Sequence, residues 1–101
     1  MKNETYKVRI SDTAKIMLLE HIAFLSKSSI SAAKKLRADF YSIVVSLKTF
    51  PYRCPEFETE FAENVYRKFS IGRYMFLYSI DERLKIVNIE YIWDSRRNNM
   101  L

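Results

Sequence analysis

The second half of the chain contains three hydrophobic runs that have the pattern of β-strands. In residues 65–71 and again in residues 84–93, apolar and polar side chains alternate with the period of two that a half-buried strand requires. Residues 74–80 (YMFLYSI) are apolar or aromatic on both parities except at Ser79, which predicts a central strand covered on both faces. The residues of the third run that are expected to share one face are Val87, Ile89, Tyr91 and Trp93.

Two short connections predict that these runs form an antiparallel meander. Gly72 and Arg73 separate the first two runs, and a glycine at the first central position suits a two-residue type II′ hairpin because that position requires a positive φ. Residues 81–83 (DER) form a polar break that is long enough to join the next antiparallel pair. A sheet of this kind needs a cover on its apolar face, and the first half of the chain must provide it.

The first half begins with a strand pattern. In residues 6–10, Tyr6, Val8 and Ile10 share one parity and the cations Lys7 and Arg9 share the other. Cations on an outward face discourage edge-to-edge aggregation, so we expect this strand to lie at an edge of the sheet.

Two helices are predicted between this strand and the meander. Ser11 or Asp12 can cap a helix over about residues 12–27, in which apolar residues recur at helical spacing. Ser29 or Ser31 can cap a second helix that ends near residues 49–50, before Pro51. The apolar stripe of the second helix consists of Ala33, Leu36, Phe40, Ile43, Val44 and Leu47. Because only a short break separates the two helices, we expect them to form a hairpin that covers one face of the sheet.

Length and composition predict one α+β domain over residues 1–101, since 101 residues with 49% hydrophobic side chains can form one core but not two. Cys54 is the only cysteine, so no intrachain disulfide is possible. The sequence shows no signal peptide and no run of transmembrane length, so we expect a cytoplasmic protein without membrane association. The formal charge of +5 suits an acidic partner or nucleic acid, but ordinary solubility explains it equally well.

The residues that could carry chemistry lack the spacing of a known motif. His21 is the only histidine and has no nucleophile or carboxylate placed to work with it, so we expect it on a helix flank. Cys54 has no evident base. Residues 51–63 are predicted to be an irregular acidic segment whose glutamates are solvated: Glu56, Glu58, Glu60 and Glu63. We therefore expect no metal and no cofactor.

Several short stretches, in order, resemble the RelE/ParE superfamily of toxins from type II toxin–antitoxin systems. The matching stretches are KVRIS, AAKKL, SLKTFPYRCP, VYRKF, GRYMFLYSID and RRN, which together extend over most of the chain. The resemblance implies a β-α-α-β-β-β fold in which a helical hairpin packs on a small, twisted, mainly antiparallel sheet. This agrees with the elements predicted from the hydrophobic pattern.

The resemblance implies one of two activities. RelE-like members are ribosome-dependent endoribonucleases that cut mRNA, which requires cations to stabilise phosphate charge. ParE-like members inhibit DNA gyrase. RelE-like enzymes typically carry an arginine three residues before the tyrosine that corresponds to Tyr78, and here that residue is Met75. Arg96 and Arg97 are present in the tail, but no tyrosine follows them. These departures favour the ParE-like branch.

The candidate target-binding surface combines cations with an aromatic residue. Its predicted members are Arg67, Lys68, Arg73, Trp93, Arg96 and Arg97. If the protein were instead a ribonuclease, the resemblance would make Arg73, Arg96 and Arg97 the catalytic candidates. Tyr91 is expected in the core of the sheet rather than on this surface.

The sequence therefore predicts a ParE-like toxin that arrests growth by inhibiting DNA gyrase, as toxins of plasmid-stabilisation modules do, a mode of action that needs no active site of its own. The alternatives are a RelE-like mRNA interferase acting on ribosomes, and an inactive basic binding module. The predicted partner is a cognate antitoxin, with which the toxin can form a hetero-oligomer.

Overall fold

The computed structural model describes residues 5–57 and 65–96. Seven elements follow one another along the described chain: β1 (Lys7–Ile10), α1 (Asp12–Ser28), α2 (Ile30–Thr49), β2 (Glu56–Phe57), β3 (Tyr66–Ile71), β4 (Tyr74–Asp81) and β5 (Ile86–Asp94). None of the helices in these two ranges is long and apolar enough to cross a membrane.

The strands form one mixed sheet in the order β1-β5-β4-β3-β2. Strand β1 runs parallel to β5, and the other neighbours are antiparallel. The predicted edge position of β1 and the central position of β4 are confirmed. The parallel pair arises because the chain leaves β1 at one edge, forms both helices and the meander, and returns beside it.

The helical hairpin packs on one face of the sheet, which confirms the predicted α+β architecture. Tyr74, Phe76 and Tyr78 of β4 are buried beneath it. Phe76 stacks on Phe69 of β3 at 4.6 Å and on Phe40 of α2 at 5.4 Å between ring centroids. The remainder of the predicted α2 stripe is buried or partly buried at the core: Ala33, Leu36, Ile43, Val44 and Leu47.

Two serines define the ends of the helices. The Ser11 hydroxyl accepts a hydrogen bond from the Ala14 amide at 3.0 Å and caps α1. Ser29 ends α1 by donating its amide to Leu25 O, and its hydroxyl caps α2 by accepting from the Ala32 amide at 3.0 Å. Of the two predicted capping residues for α2, Ser29 has this role, and a single residue separates the helices.

The prediction that residues 51–63 are irregular is wrong at residues 56–57, which form β2. Glu56 and Phe57 pair with Arg67 and Tyr66 of β3. The observed order is therefore β-α-α-β-β-β-β, with one strand more than the resemblance implied. A strand of two residues is too short to show an alternating pattern. Glu58, Glu60 and Glu63 lie outside the described residues.

The turns flanking β4 differ from each other. Gly72 has a φ of +57° and Arg73 does not have a positive φ, as the predicted type II′ hairpin requires. The second turn is longer than predicted, and β5 begins at Ile86 rather than at residue 84. Lys85, with a φ of +56°, takes the left-handed conformation just before β5.

Val87 and Ile89 share the core face as predicted, but a β-bulge in β5 overturns the predicted face of Tyr91 and Trp93. Leu77 pairs with Tyr91 and Tyr78 pairs with Ile89, so Glu90 has no partner on β4. Because of the extra residue, the side chains that follow Glu90 face the opposite sides of the sheet from those that simple alternation predicts. Ile92 and Asp94 are buried on the side of the core, whereas Tyr91, expected in the core, is 47% exposed on the opposite face. Trp93 shares that opposite face.

A carboxylate at the second turn ties together three distant segments. Glu82 accepts hydrogen bonds from the hydroxyls of Tyr6 at 2.9 Å and Tyr52 at 2.5 Å, and it pairs with the Lys85 ammonium. The Lys85 ammonium, followed by the two tyrosine hydroxyls, lowers the pKa of Glu82 from 4.5 to about 2. In turn, the hydrogen bond to Glu82 raises the pKa of Tyr6 and of Tyr52.

Replacing Phe40 tests the predicted core. Phe40→Ala should destabilise the protein by about 3–5 kcal/mol, because it removes a buried ring from the stack with Phe76. Tyr41→Ala is the matched control, since the neighbouring Tyr41 is 69% exposed. Urea unfolding measures both changes in free energy, and equal changes would contradict this account of the core.

The pKa of Glu82 predicts a pH dependence of stability. Because the folded pKa is about 2 and the ordinary value is 4.5, ionised Glu82 stabilises the fold above pH 4.5, and this stabilisation is lost as the pH falls towards 2. Glu82→Gln should therefore be less stable than the wild type at pH 7, and the difference should shrink on acidification. Thermal unfolding between pH 7 and pH 2 measures this. Glu20→Gln, an exposed position on α1, controls for net charge. A difference that grows at low pH would refute the prediction.

Candidate functional site

The residues predicted to bind a target do not form one continuous surface. Lys68 and Trp93 lie on the face of the sheet opposite the helices, called here the open face. Arg67 pairs with the core residue Tyr78 and therefore lies on the side of the helices. Arg96 is exposed just after β5. Arg97 lies outside the described residues.

Arg67 holds the segment that leads into β2. Its guanidinium donates to Cys54 O at 2.6 Å and to Tyr52 O at 3.4 Å, and it pairs with Glu56 at 3.4 Å. It also lies over the Tyr52 ring at 5.0 Å. These contacts give Arg67 a structural role, because they fix the position of the chain that enters β2.

Arg73 is held at the hairpin between β3 and β4. Its Nε lies 3.1 Å from Asp94 Oδ2, which is ion-pair distance, although the N–H is not aligned for a hydrogen bond. Asp94 is 5% exposed, so the pair neutralises a buried carboxylate. The Arg73 guanidinium also lies 5.3 Å from the centre of the Tyr74 ring, and Arg73 O accepts from the Ser95 amide and hydroxyl. Arg73 therefore ties the hairpin to the end of β5.

The open face carries a group of aromatic side chains, called here the aromatic panel: Phe57, Tyr66, Tyr91 and Trp93. Phe57 meets Trp93 edge to face at 6.3 Å between ring centroids, and Tyr66 meets Tyr91 in the same manner at 6.4 Å. Between them lies Leu77, which is only 9% exposed although it belongs to the open face. The Lys68 ammonium lies 5.5 Å from the centre of the Phe57 ring. Lys68 and Trp93 thus meet through Phe57.

The central part of the open face is poor in positive charge. Among the described residues that face outward from β2, β3, β4 and β5, Lys68 is the only cation. Two further cations, Lys7 and Arg9, lie on the same face at the β1 edge of the sheet. Met75, the position at which RelE-like enzymes typically have an arginine, pairs with Ser70 and Trp93 and presents a thioether there. A thioether cannot stabilise the developing charge of a phosphate undergoing cleavage.

Glu90, the bulge residue, also faces outward. Its carboxylate accepts from the Ser79 hydroxyl at 2.5 Å and from the Tyr66 hydroxyl at 3.4 Å. The Glu90 carbonyl accepts from the Ser11 hydroxyl at 3.0 Å. Glu90 and Ser79 line an open cleft of about 660 Å³ beside the aromatic panel, together with Val65, Asp81 and Asn88.

Three side chains of types that often act in acid–base or nucleophilic chemistry, a tyrosine, a cysteine and a histidine, make structural contacts instead. Tyr78 is fully buried and donates its hydroxyl to Pro51 O at 2.7 Å, and its burial raises the pKa of the phenol. Cys54 is buried beside it. The His21 ring lies against Tyr74 at 4.7 Å, on the flank of α1 as expected. Each of these three side chains is thus in the core or packed against it.

Sequence reasoning missed Phe57, Tyr66 and Glu90, and it placed Tyr91 in the core. A signal was present in β5, where Ile92 interrupts the alternation and makes residues 91–93 apolar on both parities. Such a run fits either face, and only the pairing with β4 decides between them.

A family model for the ParE toxin of type II toxin–antitoxin systems (parDE) matches residues 8–99 of the chain. No curated protein matches it significantly. Two of the solved structures that share its fold are toxin–antitoxin complexes. The toxin–antitoxin complex RelBE2 from Mycobacterium tuberculosis contains a chain 23% identical, with a TM-score of 0.59, and the match covers 89% of this chain and 98% of that one. A chain of the archaeal RelE–RelB complex from Pyrococcus horikoshii OT3 is 18% identical, with a TM-score of 0.57 and coverage of 92% and 98%.

Proposed function

Because the chain belongs to the ParE toxin family of type II toxin–antitoxin systems, we propose that it arrests growth by binding DNA gyrase in the cytoplasm. The observation that carries this proposal is the composition of the open face. Exposed rings around a buried leucine suit a contact with another protein, since aromatic residues supply most of the binding energy in protein interfaces. The four strands that carry these rings have one described outward cation, Lys68, and the other two on this face, Lys7 and Arg9, lie apart from the rings on the β1 edge, which is a poor match for an RNA backbone.

The internal roles of two arginines support the same conclusion. A ribonuclease that uses no metal needs cations that can reach the phosphate. Arg67 binds backbone carbonyls and Glu56, and Arg73 pairs with the buried Asp94. Neither can approach a substrate without losing contacts that hold the fold together.

We further propose that a cognate antitoxin neutralises the protein. Both similar structures are complexes of a toxin with its antitoxin. The net charge of +5 suits an acidic partner that folds on binding, because complementary charge accelerates and orients association. Such an antitoxin and this toxin can form a hetero-oligomer.

The second candidate function is ribosome-dependent mRNA cleavage, which is favoured by one observation: both similar structures contain RelE-type toxins. It would require Arg73, Arg96 and Arg97 to act on RNA. Of these, Arg96 is exposed and Arg73 is paired.

Parallel assays on purified protein separate the two activities. We expect inhibition of gyrase supercoiling and intact mRNA on programmed ribosomes. Cleavage in the ribosomal A site that is lost in Arg73→Ala, but kept in Asp94→Asn, would overturn the gyrase assignment. Asp94→Asn is the matched control because it disrupts the same ion pair and leaves the guanidinium in place.

Replacing both tail arginines, Arg96→Ala and Arg97→Ala, should weaken toxicity without changing the melting temperature by more than a few degrees. Arg96 is exposed, and substitutions of exposed side chains usually alter stability by less than about 0.5 kcal/mol. Growth after induction and thermal unfolding are the two measurements. Arg37→Ala, at an exposed position on α2, is the control. Full toxicity of the double variant would remove these residues from the proposed target-binding surface.

A further inference from the structure

The bulge in β5 places an acid and an aromatic ring side by side on the open face. Glu90 and Tyr91 are consecutive in sequence, yet both face away from the helices because Glu90 has no partner on β4. Tyr66 joins them, since its hydroxyl reaches the Glu90 carboxylate and its ring meets Tyr91. The aromatic panel and the cleft therefore form one continuous surface.

The Glu90 carboxylate lacks a cationic partner among the described residues. Its hydrogen bonds come from the hydroxyls of Ser79 and Tyr66, which are neutral. Those two donors fix the orientation of the carboxylate and leave its negative charge without a counter-ion, on a chain that is otherwise basic. A half-buried carboxylate of this kind binds a guanidinium or ammonium group through charge-assisted hydrogen bonds. The adjacent tyrosine rings add cation–π attraction for the same group.

Resting on the function proposed above, we propose that the open face binds the toxin's protein target through a segment that brings an arginine or lysine to Glu90. Apolar side chains of the same segment would cover the aromatic panel, with Trp93 and Tyr91 as its main contacts. Desolvated aromatic residues beside a fixed charge are typical of the few positions that dominate an interface.

Charge decides which partner fits this surface. An RNA backbone would bring phosphates towards three carboxylates that line the cleft, those of Glu90, Asp81 and Glu82, against one lining cation, Arg83. An acidic antitoxin segment would meet the same repulsion. A basic segment of the target protein meets neither obstacle. The antitoxin would then bind elsewhere on the toxin.

Charge substitutions at Glu90 test this proposal. Glu90→Gln preserves an acceptor for Ser79 and Tyr66 but removes the negative charge, whereas Glu90→Lys reverses it. Trp93→Ala truncates the aromatic panel. The matched controls are Glu20→Gln and Glu20→Lys on the exposed surface of α1. Four measurements are made for each full-length variant: growth arrest after induction, binding to purified gyrase holoenzyme, cleavage of mRNA on programmed ribosomes, and co-purification with the cognate antitoxin. Thermal unfolding confirms that each variant is folded.

Glu90→Lys and Trp93→Ala should lose growth arrest and weaken gyrase binding by about 30-fold or more. Glu90→Gln should weaken binding by about tenfold, and the Glu20 variants should behave like the wild type. All of them should still bind the antitoxin. Growth arrest does not depend on knowing the target, so it tests the open face even if wild-type protein fails to bind gyrase, a result that would refute the gyrase assignment alone.

Three outcomes would overturn the proposal. Folded Glu90→Lys and Trp93→Ala that arrest growth as the wild type does would show that the open face does not bind the target. Loss of antitoxin binding in those variants would assign the face to the antitoxin. Stronger mRNA cleavage by Glu90→Lys would show that the surface approaches RNA and that the carboxylate opposes it.

Discussion

The contact on which much of the structure depends is the one between Ser11 and the bulge at Glu90. The Ser11 amide donates to Ile89 O and its hydroxyl donates to Glu90 O, and the same hydroxyl accepts from Ala14 to begin α1. The residue that caps the first helix therefore also continues the β1–β5 ladder at Ile89 and satisfies the carbonyl of the bulge residue Glu90. Because β1 pairs with β5 immediately before Ser11, this contact fixes the helical hairpin, the edge strand and the parity of β5 together.

Two groups of cations among the described residues have contrasting roles. Arg67, Arg73 and Lys85 make internal contacts with carbonyls, carboxylates and rings, and they hold the two turns and the short β2 strand in place. The cations on the helix surfaces are exposed, as Lys15, Lys34 and Arg37 illustrate. A basic composition alone therefore gives little information about the location of a binding surface. The open face was identified by its rings and by one carboxylate.

Most of the architecture could be predicted from the sequence, because helical spacing and strand alternation are local properties. The α2 stripe around Phe40, the central position of β4 and the positive φ at Gly72 all follow from neighbours in the chain. The two-residue β2 strand, the bulge and the Arg73–Asp94 pair depend on which distant residues the sheet brings together. Those long-range pairings also form the aromatic panel, so the fold was easier to predict than the candidate site.

The shared cap at Ser29 has a mechanical consequence. Since one residue ends α1 and begins α2, the hairpin contains no loop that could absorb a change in the angle between its helices. A displacement of one helix would therefore displace the other, and the two helices would move together relative to the sheet. A ligand that displaces α1 would also have to disturb the stack of Phe40, on α2, with Phe76 of the sheet. The helical layer should therefore resist rearrangement more than the segments on either side of it.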